Sequence, residues 1–161
     1  MPQLSIMQSK LQTDFSSFAN NERMAAENMA TAFDSYCKTI INVAGGGFSA
    51  MPGIDILKIE LEKIFKSQPQ IKSQLASDVA TAFDNCFKTL LTTFQTAPPT
   101  PILSVLLPKL QILFNKFSNS GADFGREFAE AIDTAVKTSI IQGVFPSTPP
   151  SPFSGPPQWV N

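Results

Sequence analysis

A chain of 161 residues is long enough for one domain with its own core. Only 16% of its residues are charged and its formal net charge is −1, so there is no basic footprint for a phosphate backbone and nucleic-acid binding is not expected. With no histidine in the chain, the commonest general base and the commonest metal ligand are both missing.

The N-terminus, Met1-Pro2-Gln3-Leu4-Ser5, lacks a charged segment leading into an apolar block. No signal peptide is predicted, and synthesis is expected in the cytoplasm. Apolar runs such as 102–113 are interrupted by Ser104, Pro108, Lys109 and Gln111. They fall far short of the ~20 residues a membrane-spanning helix needs, so no transmembrane segment is predicted.

From residue 4 onward large apolar residues recur at steps of three and four: Leu4, Met7, Leu11, Phe15. That spacing is one face of a helix, helix A, over about 4–18. A polar break at 19–21 follows, then helix B over about 22–43, with Met29, Phe33, Tyr36 and Ile40 on its apolar face. The breaker-rich stretch 44–53, with Gly45-Gly46-Gly47, closes the unit.

The unit then repeats. Ala30-Thr31-Ala32-Phe33-Asp34 returns as Ala80-Thr81-Ala82-Phe83-Asp84, and more loosely as Ala129-Glu130-Ala131-Ile132-Asp133, at spacings of 50 and 49 residues. The second helix A, about 54–67, carries Ile54, Leu57, Leu61 and Phe65, and the third, about 102–117, carries Leu103, Leu106, Leu110 and Phe114. The second helix B, about 71–95, presents Val79, Phe83, Phe87, Leu90 and Phe94; the third, about 123–143, presents Phe128, Ile132, Val136 and Ile140. A fixed period of this size means one supersecondary unit used repeatedly. The predicted fold is all-α, with three tandem hairpins of ~50 residues and about six helices. They form a small bundle or a short solenoid over residues 1–144, in repeats of about 1–50, 51–100 and 101–144. Pro108 sits inside the third helix A, and a kink or break is expected there.

Residues 145–161 read as an extended proline-rich tail. Six prolines fall among the last sixteen residues, and no charged side chain follows Lys137. Stiff polyproline II geometry would reach about 50 Å over sixteen residues. Phe145, Phe153, Trp159 and Val160 are the candidate partner-binding residues of this arm, with Trp159 the best single anchor. Pro146 and Pro149 have the spacing of an SH3 ligand but lack a basic flank.

Chemical signatures are sparse. Cys37 and Cys86 occupy positions that are aromatic in the neighbouring repeat, so they read as small buried hydrophobes, with a disulfide between them the lesser alternative. Two thiols without histidine exclude a zinc site. The pairs Asp34/Lys38, Asp84/Lys88 and Asp133/Lys137 stand at i, i+4, and are expected on a solvated face. The glycine triplet follows a helix and precedes no Lys-Ser/Thr pair, so it reads as a flexible cap and linker rather than a phosphate cradle. No catalytic residue, cofactor site or metal site is predicted, and the chain is not expected to be an enzyme.

Low charge, 14 phenylalanines and an uncharged arm point to surfaces given over to other proteins. The expected function is that of a non-enzymatic structural or assembly protein. It would be a minor component of a large particle, a virion or capsid-like shell, held in a homo- or hetero-oligomeric assembly by helix faces and the C-terminal arm. The alternative is a helical carrier enclosing a lipid or pigment. A small-molecule ligand is the lesser expectation, because phenylalanine on a repeated face is more simply core.

Overall fold

The computed structural model describes residues 2–16, 21–67, 71–116 and 120–159. These are mostly helical, with a few short strands. In chain order they form α1 (Pro2–Ser16), α2 (Glu22–Cys37), β1 (Ile40–Ile41), β2 (Phe48–Ala50), α3 (Ile54–Ser67) and α4 (Lys72–Phe87). Then come β3 (Leu91–Thr92), α5 (Leu103–Asn115), α6 (Gly121–Lys137), β4 (Ile141–Phe145), β5 (Ser151–Gly155) and β6 (Gln158–Trp159). Most of the expected polar breaks between first and second helices lie outside the described residues, as do Val160 and the Phe15 side chain. No described helix is long and apolar enough to cross a membrane.

Each helix packs against the next, and α6 packs against α1, so the helices close into a ring. The apolar ladders face its interior. Met7 and Leu11, Leu57 and Leu61, Leu106 and Leu110 are buried at matching positions of α1, α3 and α5. Helix B buries the same seven positions in every repeat, from Ala26, Ala76 and Gly125 to Cys37, Phe87 and Val136. Aromatic rings from α2, α4 and α6 meet in the middle: Phe33 lies edge-on to Phe83 at 5.0 Å and Phe83 edge-on to Phe128 at 5.6 Å. Such contacts add about 0.5–1.5 kcal/mol each beyond their burial.

Small residues let the helices approach. A Cβ on Gly125 of α6 would stand 2.6 Å from the Leu11 carbonyl oxygen of α1. Local capping fixes the helix starts: the Met24 amide donates to the Asn21 side chain at 2.8 Å and the Asp123 amide to Ser120 Oγ at 3.1 Å.

The second helix of each repeat stops six to eight residues earlier than its periodicity suggests. The cause is written three times. Thr39, Thr89 and Thr138 each donate their hydroxyl to the carbonyl three residues back, on Tyr36, Cys86 and Ala135, at 2.7 Å. Their backbone amides bond to the same carbonyls, so the helix tightens into a last turn. The residues that follow, Ile40-Ile41, Leu91-Thr92 and Ile141, enter strands, where β-branched side chains fit well. The apolar register shifts accordingly. Ile140, expected on the core face, is 38% exposed, and its neighbours Ser139 and Ile141 are buried instead.

Pro108 neither breaks nor ends α5. Its ring is on the exposed side of the helix, as is Ser104, whose carbonyl loses its helical donor. Water can serve that carbonyl, which reduces the cost of an interior proline.

Candidate functional site

The segments that leave the three second helices, residues 38–53, 88–102 and 138–159, meet at one end of the ring and hydrogen-bond to one another. β2 pairs antiparallel with β3, with Phe48 opposite Thr92. Gln95 bridges Gly143, the Thr96 amide donates to the Gln142 carbonyl at 3.0 Å, and the Val144 amide donates to the Phe94 carbonyl at 3.1 Å. β4 pairs with β5 over five residues. β6 then crosses to the first repeat, where Trp159 faces Ile40 and Gln158 faces Ile41 of β1.

The glycine triplet belongs to this cap and is pinned rather than loose. Asn42, fully buried, accepts from the Ala44 and Gly46 amides at 3.0 and 2.9 Å, and donates to Thr92 Oγ1 and the Thr93 carbonyl at 3.1 and 2.7 Å. Gly45 has φ +79°, and a Cβ on Gly46 would stand 2.4 Å from the Thr93 carbonyl oxygen. Only glycine meets both demands at low cost.

The three Asp–Lys pairs are formed, but two of their aspartates are not on a solvated face. Asp84 is 1% exposed and its Oδ1 accepts from the Ile102 and Leu103 amides at 2.6 and 3.0 Å. It therefore caps α5, whose N-terminus has no side-chain cap of its own. Asp133, also buried, accepts from the Tyr36 hydroxyl at 2.8 Å. Asp34 keeps the solvated role with Lys38 at 2.6 Å. At the place matching Ile102 the chain has Pro52, which carries no N–H to cap.

Trp159 covers the Tyr36–Asp133 bond. Its ring lies 6.1 Å from that of Tyr36, and Lys137 Nζ stands 5.5 Å from the indole centroid. The buried indole Nε1–H comes near the Tyr36 oxygen but meets hydrogen-bond geometry with no partner among the described residues. Burial, reinforced by the Asp133 carboxylate, holds the Tyr36 hydroxyl far above its ordinary pKa. Tyr36 thus stays protonated as a hydrogen-bond donor and is a poor acid. The two cysteines are free and buried, and burial pushes the Cys86 thiol up to about 12 and raises Cys37 as well. Neither supplies a thiolate near neutral pH. Among the described residues no three His, Cys, Asp or Glu side chains group as a metal site.

The candidate arm residues take three different positions. Phe145 is 41% exposed, and its ring lies edge-on to Phe94 at 5.4 Å. Phe153 and Trp159 are half-buried and packed on the core. Phe153 lies over Gly143, where a Cβ would meet its ring at 2.4 Å.

Phe94, like Ile140, is misplaced by sequence periodicity. It falls on the apolar face of a longer helix B, yet it stands beyond the helix, 40% exposed, with φ +67°. Left-handed backbone is uncommon for any side chain and an outlier for a bulky one. With the exposed Phe145 ring against it, Phe94 forms an exposed apolar pair. Elsewhere, an outer groove of about 460 Å³ between α5 and α6 holds Lys116, Arg126, Glu127 and Glu130, which pair with one another as Lys116–Glu127 at 2.7 Å and Arg126–Glu130 at 3.2 Å. No family model, no curated protein and no solved structure matches this chain.

Proposed function

We propose that the chain is a non-enzymatic assembly protein, a closed bundle of three hairpins that binds neighbouring proteins through its capped end. The single observation that carries this reading is Phe94, an aromatic residue in left-handed backbone with its ring turned outward against exposed Phe145. A folded chain keeps such a residue at a cost of about 1–2 kcal/mol against glycine, and strain of this kind clusters at functional positions. The weakly charged composition agrees, since a domain that stays solitary usually coats itself in Lys and Glu. A subunit of a large particle, of the virion or capsid-like kind, needs surfaces of this sort. The carrier alternative has less support, because the rings of Phe33, Phe83 and Phe128 fill the middle of the ring of helices by touching each other.

A photo-crosslinking residue placed at Phe145 in the producing host tests the proposal. A discrete protein adduct is expected at Phe145, and none at Lys58 on the outer side of α3. Absence of a discrete adduct at Phe145 would overturn the assembly reading. Phe94→Gly adds a second readout: the folded state should hold or gain stability while the adduct weakens.

A further inference from the structure

We propose that the segment 151–159 is an exchangeable strap, and that its partner in assembly is a second copy of this chain. In the swapped form β5 of one copy pairs with β4 of the other, and β6 lies on the other copy's β1. This inference rests on the assembly reading above and names the partner.

Residues 38–53 and 88–102 lead from the first and second repeats into the next first helix. Residues 138–159 instead run into β4, β5 and β6, and the last of these joins repeat three to repeat one. The strap leaves the helices complete: the buried aliphatic and aromatic side chains of the core run from Met7 to Ile141, and all precede it. What it adds are five residue pairs on β4, two on β1, and the Phe153 and Trp159 side chains laid over the core. A second copy offers the same contacts in the same register, so exchange forfeits none of them.

The hinge is also suited to opening. Residues 146–150 contain Pro146, Pro149 and Pro150 and are exposed except for half-buried Ser147. The loop's own bonds come from Ser147, whose amide donates to the Phe145 carbonyl at 2.8 Å and whose hydroxyl donates to the Pro149 carbonyl at 2.6 Å. Prolines favour an extended hinge, and five residues at about 3.1 Å each carry the strap roughly 15 Å onto a neighbour.

The apolar pair identifies what covers it. Phe145 is the last residue before the hinge, and the exposed Phe94 ring lies against it. In an exchanged dimer the two hinges run past each other, so the two apolar pairs come together where a new contact must form. An encounter with an unrelated protein would leave the coincidence of pair and hinge without a reason.

The register supplies a direct experiment, because Gln142 stands opposite Ser154 and both are exposed. Gln142→Cys and Ser154→Cys are made in separate full-length chains, which are concentrated together and oxidised. Exchange is expected to give a disulfide-linked heterodimer several-fold above the dimer from either variant alone. The double variant on one chain, oxidised when dilute, is locked closed and should lose dimerisation entirely, regaining it on reduction. Native Cys37 and Cys86 are buried, and helical circular dichroism checks each fold. If the locked chain still dimerises, or mixing gives no heterodimer while the native chain associates, the strap is not exchanged and the assembly reading stands without it. If the native chain stays monomeric throughout, the exchange proposal fails, and discrete adducts at Phe145 would then assign the apolar pair to a different protein.

Discussion

The Tyr36 hydroxyl donates to Asp133 Oδ1 at 2.8 Å, joining residues 97 apart in sequence across the seam between the first and third repeats. Only the first repeat has a hydroxyl there: the matching residues are Cys86 and Ala135. The bond is therefore particular to the closure of the ring. Tyr36→Phe leaves the buried Asp133 oxygen without its donor, which costs about 1–3 kcal/mol. Urea unfolding followed by circular dichroism measures this, and a midpoint within error of the native chain would refute it.

The three aspartates of the repeat differ in what they hold, so they should differ in what they cost. Asp84→Ala removes the cap of α5 and strands two amides, for about 2–3 kcal/mol. Asp84→Asn keeps an acceptor oxygen and should recover about half of that loss. Asp34→Ala, on the solvated pair with Lys38, should stay within about 0.5 kcal/mol. Equal losses for Asp34 and Asp84 would show that capping is not what buries Asp84.

The repeat and its core were legible because burial follows periodicity position by position: Met29, Val79 and Phe128 are all buried, as are Leu11, Leu61 and Leu110. Helix ends were not. The threonine that stops each second helix stands inside an apolar run whose spacing continues the helical pattern past it, and Phe94 and Ile140 were misassigned for that reason. The fate of Asp84 was hidden as well. A carboxylate four residues before a lysine looks solvated until the chain brings the start of α5, eighteen residues on, against it. Tail residues such as Phe153 and Trp159 announced by composition that they need cover, but not that their own repeats supply it.

Gly125 should be the least replaceable small residue of the helix B faces. The matching positions hold Ala26 and Ala76, and alanine is the better helix former by about 1 kcal/mol. A Cβ on Gly125 would nevertheless meet the Leu11 carbonyl oxygen at 2.6 Å and the Gln12 amide nitrogen at 2.8 Å, and both belong to backbone. Gly125→Ala is expected to push α6 away from α1 and destabilise by about 1–3 kcal/mol. A stabilised Gly125→Ala chain in thermal unfolding would mean that α1 yields freely to the added methyl.

Alkali should loosen the protein through its buried thiols. In the unfolded chain a cysteine ionises near 9, whereas burial holds Cys86 up to about 12 and raises Cys37 too. Above the unfolded value the unfolded state therefore binds fewer protons than the native one, and stability falls as pH rises. For Cys86 the stabilising difference is fully present below pH 9 and is lost on the way to about 12. Each such group contributes a slope of up to about 1.4 kcal/mol per pH unit. Tyr36, raised from an ordinary value of 10, joins above that pH. Urea midpoints taken from neutral pH to about 10.5 should decline in the native chain and flatten in Cys37→Ala/Cys86→Ala, whatever that variant's stability at neutral pH. The same decline in both proteins would place the alkaline sensitivity outside the thiols.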